Sequence, residues 1–228
     1  MKALLITIDG PSGAGKSTVS RRLAERLGCI YVDTGALYRA VAWVALARKC
    51  GGDDDGKLAE ICKDLVLKFG TGRTGPRLYA NGDDVTDRIR TPEITMLASA
   101  ISARPVVRAF LLDVQRDMAK EGGVVFEGRD MGTVVFPEAD IKFYLDARPE
   151  IRAERRYREL VAENRPVTLS DVLGAMKRRD KDDSNRALAP LKPADDAVLV
   201  DSTGMGIEDV IETMLKHISP PDSSGLSA

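Results

Sequence analysis

Short apolar runs alternate with amphipathic stretches along most of the chain. Residues 3–8 (Ala-Leu-Leu-Ile-Thr-Ile) form a nearly continuous apolar run, which predicts a buried parallel strand. Residues 18–27 carry Val19, Leu23 and Leu27 on one helical stripe. Residues 30–32 read as a second strand. Residues 36–48 are apolar on more than one side (Leu37, Val41, Trp43, Val44, Leu46), so they predict a well-packed helix. The Gly- and Asp-rich stretch 51–56 reads as an exposed turn and 57–65 as an amphipathic helix.

The pattern changes from about residue 66 to residue 90. Short β-segments separated by turns predict a small antiparallel insert, and Asn81-Gly82 is a strong hairpin signal. Thr91 followed by Pro92 is a helix start, and helices are predicted over 93–102 and 105–120. The first pattern then resumes. Residues 123–127 predict a strand ending in Gly128-Arg129-Asp130, and 141–145 another. Helices over 149–162 and 169–181 are rich in Arg; a strand at 197–200 and a helix at 206–217 follow. Residues 219–228 are expected to be a disordered tail. Strands alternating with helices predict an α/β domain with a central parallel sheet. In such a sheet ligands bind beyond the carboxyl ends of the strands. Gly10, Asp33 and Gly128-Arg129-Asp130 each follow a strand, so they should converge on one rim.

A chain of 228 residues suits one well-buried domain with a small insert. The formal net charge of −1 supplies no field for a nucleic acid or an acidic membrane. No apolar run approaches membrane-spanning length, and no basic-then-apolar leader precedes the first strand, so a cytoplasmic location is expected. Cys29, Cys50 and Cys62 are odd in number and lack metal-type spacing, which points to reduced structural thiols. His217 is the only histidine and lies far from every glycine-rich loop. Histidine-based catalysis is therefore almost excluded, and the chemistry must use Lys, Arg, Asp and bound metal.

Residues Gly10-Pro11-Ser12-Gly13-Ala14-Gly15-Lys16-Ser17 form a complete phosphate-binding loop between a strand and a helix. Its glycines let backbone N–H groups curl around one anion, and the helix N-terminus adds its dipole. Lys16 brings a charge to the β- and γ-phosphates, and the Ser17 hydroxyl is placed to ligate Mg²⁺. The loop accounts for a nucleoside triphosphate but not for an acceptor. Asp33, Arg39, Arg108, Arg129, Asp130, Arg179, Asp183 and Arg186 are the polar candidates for a second pocket. Two phosphates brought together repel, so several fixed cations are required. A phosphate monoester acceptor is already ionised and needs no general base. Arg148, Arg152 and Arg155 sit beside Glu150, Glu154 and Glu159, where a solvated, ion-paired face is the plainer reading.

Four segments in this order resemble the bacterial cytidylate kinase family: 10–18, 33–39, 127–137 and 179–191. The segment 81–86 with Ile89-Arg90-Thr91-Pro92 belongs to the same resemblance, which runs to about Ile218. It implies a P-loop NTPase fold, three layers α/β/α, in one domain over 1–218. A nucleoside-monophosphate-binding insert would lie at about 57–121, and a short helical lid at about 155–166. It implies a Mg²⁺- and ATP-dependent phosphotransferase acting on CMP and dCMP, expected as a monomer with no nucleic-acid or membrane partner. Residues 10–18 would hold ATP, through Gly10, Pro11, Ser12, Gly13, Ala14, Gly15, Lys16, Ser17 and Thr18, with Ser17 on the metal. Arg39, Arg129 and Arg186 would hold the acceptor phosphate, with Lys16, Arg129 and Arg186 catalytic. Ser99, Arg108 and Asp130 would read cytosine. Thr34, Tyr38, Arg179 and Asp183 would meet the ribose and nearby phosphate, and Arg155 or Arg156 would reach over from the lid. Glu127 stands where a strand-end carboxylate could hold a metal-bound water. Kinases of the same fold for UMP, AMP or shikimate, and a non-catalytic nucleotide switch, are the alternatives.

Overall fold

The computed structural model describes residues 4–72, 75–120 and 122–218. Strand β1 (Leu5–Asp9) leads into α1 (Lys16–Leu27), β2 (Ile30–Asp33) and α2 (Thr34–Ala47). Helix α3 (Asp55–Asp64) precedes β3 (Leu67–Gly72), β4 (Gly75–Ala80) and β5 (Asp83–Asp84). Helices α4 (Pro92–Ile101) and α5 (Pro105–Ala119) return the chain to β6 (Val124–Glu127) and β7 (Ile141–Asp146). Helices α6 (Pro149–Ala162) and α7 (Leu169–Asn185), strand β8 (Val198–Asp201) and helix α8 (Ile207–Ile218) follow.

Five strands pair in the order β2-β6-β1-β7-β8, and every neighbouring pair is parallel. Alternation along the strands divides their side chains between two faces. Ile6, Ile8, Val125 and Phe143 pack with Val19 and Leu23 of α1 and Val210, Ile211 and Met214 of α8. Val32, Val124 and Phe126 pack on the other face with Met131, Val135 and Phe136, beside Leu112 of α5. A sheet buried on both faces explains why β1 and β6 read as continuous apolar runs. Beside β1 the order reverses, since the chain leaves β1 for β2 on one side while β7 and β8 lie on the other. That is the crevice where parallel sheets bind ligands.

β3, β4 and β5 form the antiparallel insert. Asn81 (φ 51°) and Gly82 (φ 90°) make its two-residue turn, both in the left-handed region that such hairpins require. Leu67, Leu78, Val85 and Ile89 bury their side chains against α2, α3, α4 and α5, so the insert shares a second core with those helices. Ala153, Leu160, Val172 and Met176 form a smaller core between α6 and α7. Among the described residues no single helix is long and apolar enough to cross a membrane. Helices α4 and α5 are sufficient only together, but they meet at 98° and turn Ile94, Ile101, Val107 and Leu111 into the second core.

The structure departs from the sequence expectations in three places. The exposed turn at 51–56 ends early, because Asp54 accepts from Lys57 N at 3.0 Å and starts α3 at Asp55. Helix α7 runs past residue 181 to Asn185. Residues Met131–Val135 form one wide helical turn that no apolar periodicity announced. The Asp9 carboxylate organises that turn by accepting from Met131 N at 2.9 Å and Gly132 N at 2.8 Å. The expected lid at 155–166 falls on the second half of α6 and the loop after it, and α6 runs unbroken from Pro149. Thr91 caps α4 as its sequence implies, accepting from Ile94 N at 3.3 Å. The expected tail, 219–228, lies outside the described residues.

Gly10 is where the sheet and the loop meet most tightly. Its φ is +146°, and a Cβ there would lie 2.0 Å from the Leu145 carbonyl oxygen of β7. Gly10→Ala is expected to cost about 2–4 kcal/mol through backbone clash and strain, lowering the melting temperature by roughly 5–15 °C. A thermal melt within about 2 °C of the unaltered protein would show that β1 and β7 can part without loss.

Candidate active site

The loop after β1 turns on Gly13 (φ 74°) and on Gly15 (φ 94°), the residue that opens α1. No side chain caps α1 and no acidic residue lies in its first turn. Its first N–H groups therefore face the cavity without a carboxylate competitor, an arrangement suited to an anion. Lys16 is only 7% exposed and folds back over the loop, donating from Nζ to the Pro11 carbonyl at 2.7 Å. Burial, and then the neighbouring charge of Arg129, lower its pKa to about 7. Pro11 thus serves through its carbonyl and Gly10 through its backbone, while residues 12–18 line the cavity.

Tyr31 donates to Glu127 Oε1 at 2.7 Å, and the Ser17 hydroxyl faces both groups. Glu127 Oε2 is buried with no hydrogen-bond partner. Burial and the charge of Asp33 push the Glu127 carboxyl above its ordinary range. Thr34 donates to the Glu127 carbonyl at 2.7 Å, so its side chain clamps the ends of β2 and β6. Asp33 accepts from Ala36 N at 3.0 Å and from Arg39 Nη2 at 2.8 Å, which fixes the Arg39 guanidinium against the start of α2.

Across the cavity, Asp183 gathers three arginines. Arg129 Nε donates to its Oδ2 at 3.1 Å, Arg186 Nη2 lies 3.7 Å from its Oδ1, and Arg179 Nε lies 4.0 Å from Oδ2. Asp183 itself is 5% exposed. One carboxylate cannot satisfy so many donors. Arg39 Nε, Arg179 Nε and Arg186 Nη2 are buried without hydrogen-bond partners. Desolvation and the charge of Arg129 lower the Arg179 pKa to about 10. Deeper in, Arg108 Nη2 is bonded to Asp130 Oδ2, and its Nη1 donates to the Ser102 carbonyl at 3.0 Å. The Arg108 guanidinium also sits 5.9 Å from the Tyr38 ring centre. Burial pushes the Tyr38 hydroxyl up to about 12. Ser99 lines the same wall, and its carbonyl accepts from Ser102 Oγ at 2.7 Å.

Lys16, Ser17, Asp33, Glu127 and the arginines around Asp183 open with Arg108 and Asp130 on one cavity of about 800 Å³, large enough for two nucleotide-sized ligands. Nine cationic side chains and six carboxylates line it, so its balance favours anions. Arg155 lies against the loop and is held there, donating to Ser202 Oγ at 3.0 Å, the Ser202 carbonyl at 2.7 Å and the Ala14 carbonyl at 3.5 Å. Arg156 stands at the rim, paired with Glu159 at 2.8 Å.

A family profile described as "Cytidylate kinase" matches residues 6–220. The chain belongs to the cytidylate kinase family. A cytidylate kinase of Geobacter sulfurreducens is 54% identical over 93% of this chain and 91% of that protein. One from Rhodococcus opacus is 45% identical over 98% of each chain. The crystal structure of an uncharacterised protein from Eubacterium ventriosum matches the fold at a TM-score of 0.54, with 14% identity over 94% of this chain and 98% of that one.

Three residues of this cytidylate kinase family member escaped the sequence reading. Ser102 joins Ser99, Arg108 and Arg186, since Arg186 Nη1 donates to its Oγ at 3.1 Å. A lone serine at a helix end gave no signal. Ser202, just past β8, holds Arg155 and donates to the Ala14 carbonyl at 3.3 Å. Arg152, read as part of a solvated face, is buried. The i, i+3 partner Arg155 turns inward as well, because this side of α6 lies against the loop rather than water.

The lowered Lys16 pKa has a binding consequence. At pH 8 an amine of pKa about 7 is mostly neutral, and bound phosphates favour its charged form. Binding of Mg-ATP at pH 8 is expected to take up most of one proton, and at pH 6 much less. Calorimetry in buffers of different ionisation enthalpy measures this. Uptake that persists unchanged in Lys16→Met would assign the proton to another group.

Proposed function

We propose that the protein transfers the γ-phosphate of Mg-ATP to CMP or dCMP, giving ADP and CDP or dCDP. The observation that carries the reading is the set of buried, unsatisfied guanidinium donors around Asp183, facing the phosphate loop across one cavity. Residues 10–18 hold the triphosphate, with Lys16 on its outer phosphates. Arg39, Arg129 and Arg186 hold the acceptor phosphate, and Arg179 and Asp183 meet the ribose side with Thr34 and Tyr38. An oxygen of the acceptor phosphate bonds to the γ-phosphorus as its bond to the bridging oxygen of ADP breaks. The acceptor dianion has no proton to lose, so no general base is required. Lys16, Arg129 and Arg186 are the catalytic groups, since they neutralise charge on both sides of the transferring phosphoryl.

Ser17 and Glu127 fit the Mg²⁺ that accompanies ATP. One supplies a hydroxyl, the other a buried carboxylate oxygen with no partner. Among the described residues no three Asp, Glu, His or Cys side chains converge on a metal site. Phosphate oxygens and water would complete the shell, as is usual for Mg²⁺. Bound there, the ion supplies charge neutralisation at the β- and γ-phosphates.

Asp130 accepts from the exocyclic amino group of cytosine, and Arg108 and Ser99 serve the remaining polar edge. Uracil presents a carbonyl where cytosine presents the amino group, so its carbonyl would meet the Asp130 carboxylate. Such a mismatch costs on the order of a few kcal/mol. The region at about 57–121 forms the acceptor side of a single domain over 1–218. The α6–α7 arm with residues 155–166 acts as the lid that excludes water, bringing Arg156 and a released Arg155 over the donor. The protein acts as a cytoplasmic monomer without nucleic-acid or membrane partners.

A panel of CMP, dCMP, UMP, AMP and shikimate with ATP and Mg²⁺, read by ADP release, tests the assignment. CMP or dCMP should lead. Faster turnover of another acceptor replaces the substrate, and ATP binding without acceptor-dependent ADP release replaces the enzyme with a nucleotide switch. Asp130→Ala is expected to lower the CMP-over-UMP ratio of kcat/KM at least tenfold while ATP affinity changes little. An unchanged ratio removes Asp130 from base recognition.

A further inference from the structure

Arg152 lies under the phosphate loop, on the side away from the cavity, and is 5% exposed. Its Nε donates to the Ala147 carbonyl at 2.8 Å, at the turn between β7 and α6. Its Nη1 donates to the Ser12 carbonyl of the loop at 3.0 Å and to Asp180 Oδ2 of α7 at 2.5 Å. Asp180 adjoins Arg179 and lies one helical turn before Asp183, the carboxylate that gathers the arginines. Gly13 adds a second point of contact. A Cβ there would lie 2.7 Å from Met176 Cε of α7 and 3.0 Å from the Arg152 carbonyl.

Stability alone does not account for this arginine. The apolar core of Ala153, Leu160, Val172 and Met176 already joins α6 to α7. A buried ion pair holds two helices no better than an apolar pair of similar size, because both charges lose water. What an arginine adds is direction, since its planar group keeps Nε on the Ala147 carbonyl while Nη1 reaches the Ser12 carbonyl and Asp180 at fixed angles. Ser12 belongs to the loop and Asp180 to α7, which carries Arg179 and Asp183 and ends directly before Arg186. Asp180 Oδ1 is buried with no partner, so the Asp180 carboxylate is oriented by Arg152 through its other oxygen.

We propose that Arg152 is a positioning residue that sets the α7 arginines in register with the phosphate loop. The loop holds one reacting phosphate and α7 helps to hold the other. A shift of α7 along the loop separates them without emptying either half-site, and small misplacements of reacting groups cost rate steeply. The inference rests on the phosphotransfer reading above. Turnover of CMP by the unaltered protein separates the two: its absence removes that reading and this inference with it.

The test uses Arg152→Lys, Asp180→Asn and the double variant in the full chain. Lysine keeps the charge but is shorter and lacks the Nε donor that fixes the group on the Ala147 carbonyl, and asparagine keeps the shape of Asp180 without its charge. Each single variant is expected to bind ATP alone within about threefold of the unaltered protein by calorimetry, and to lose tenfold or more in kcat. The double variant should lose little more than the worse single, since both break one link. A kcat within twofold in either single variant overturns the proposal. So does multiplication of the two losses, which would make the residues act separately. A matching loss of ATP binding and melting temperature in both variants also overturns it, because Arg152 would then support the loop or the fold rather than register.

Discussion

Mutual repulsion between fixed charges is the constraint on which this structure turns. A cavity that takes two phosphorylated ligands needs several cations close together before either ligand arrives, and unit charges 4 Å apart repel by about 4 kcal/mol at an effective dielectric of 20. The chain meets this by spacing carboxylates among its arginines. Asp183 lies among Arg129, Arg179 and Arg186, Asp33 holds Arg39, and Asp130 holds Arg108. Asp33 and Asp183 are too small as acceptors for the donors around them, so Arg39, Arg179 and Arg186 each keep a buried N–H without a partner. The carboxylates therefore lower the repulsion among the arginines while the cavity keeps an excess of cationic side chains.

The fold makes that balance possible by bringing distant segments to one place. Strand ends at Asp9, Asp33 and Glu127 fix the loop, Arg39 and Arg129, because neighbouring parallel strands finish at one level of the sheet. The remaining arginines come from helices that pack beside the sheet. Asp9 shows how closely the two depend on each other. Its carboxylate ends the strand that carries the loop, and it also anchors the turn after Arg129 and Asp130. Burial raises its pKa to about 6 even so, which marks how little water reaches the base of the site.

Much of this was legible along the chain, and the reason is local. The phosphate loop needs glycine at positive φ and a following helix, and both leave marks in consecutive residues. Thr91 and Asn81-Gly82 were readable for the same reason, since a cap and a two-residue turn depend on neighbours alone. The arginines at strand ends were identifiable as candidates from the topology that the hydrophobic pattern implied. The turn at Met131–Val135 was not, because it is held by Asp9, far away in sequence. Arg152 was hidden differently. Its neighbours Glu150 and Glu154 make a solvated stripe plausible, and nothing in α6 shows that the phosphate loop covers one side of it. Ser102 and Ser202 act through hydrogen bonds to partners in other segments, which no local pattern encodes.

The pairing of Arg108 with Asp130 carries the argument from charge balance to specificity. Burial raises the Asp130 carboxyl above its ordinary range, and the charges of Arg108, Arg186 and Arg129 offset part of that rise. A buried aspartate without those charges would tend to hold a proton. In that form it could donate to the carbonyl of uracil as readily as the ionised form accepts from the amino group of cytosine. On the reading proposed for the site, Arg108 therefore acts twice. It offers hydrogen bonds to the ring, and its charge favours the ionised, accepting form of Asp130. On that reading, discrimination between two bases that differ at one position is a property of the pair, and Arg129 and Arg186 nearby support it through the same field.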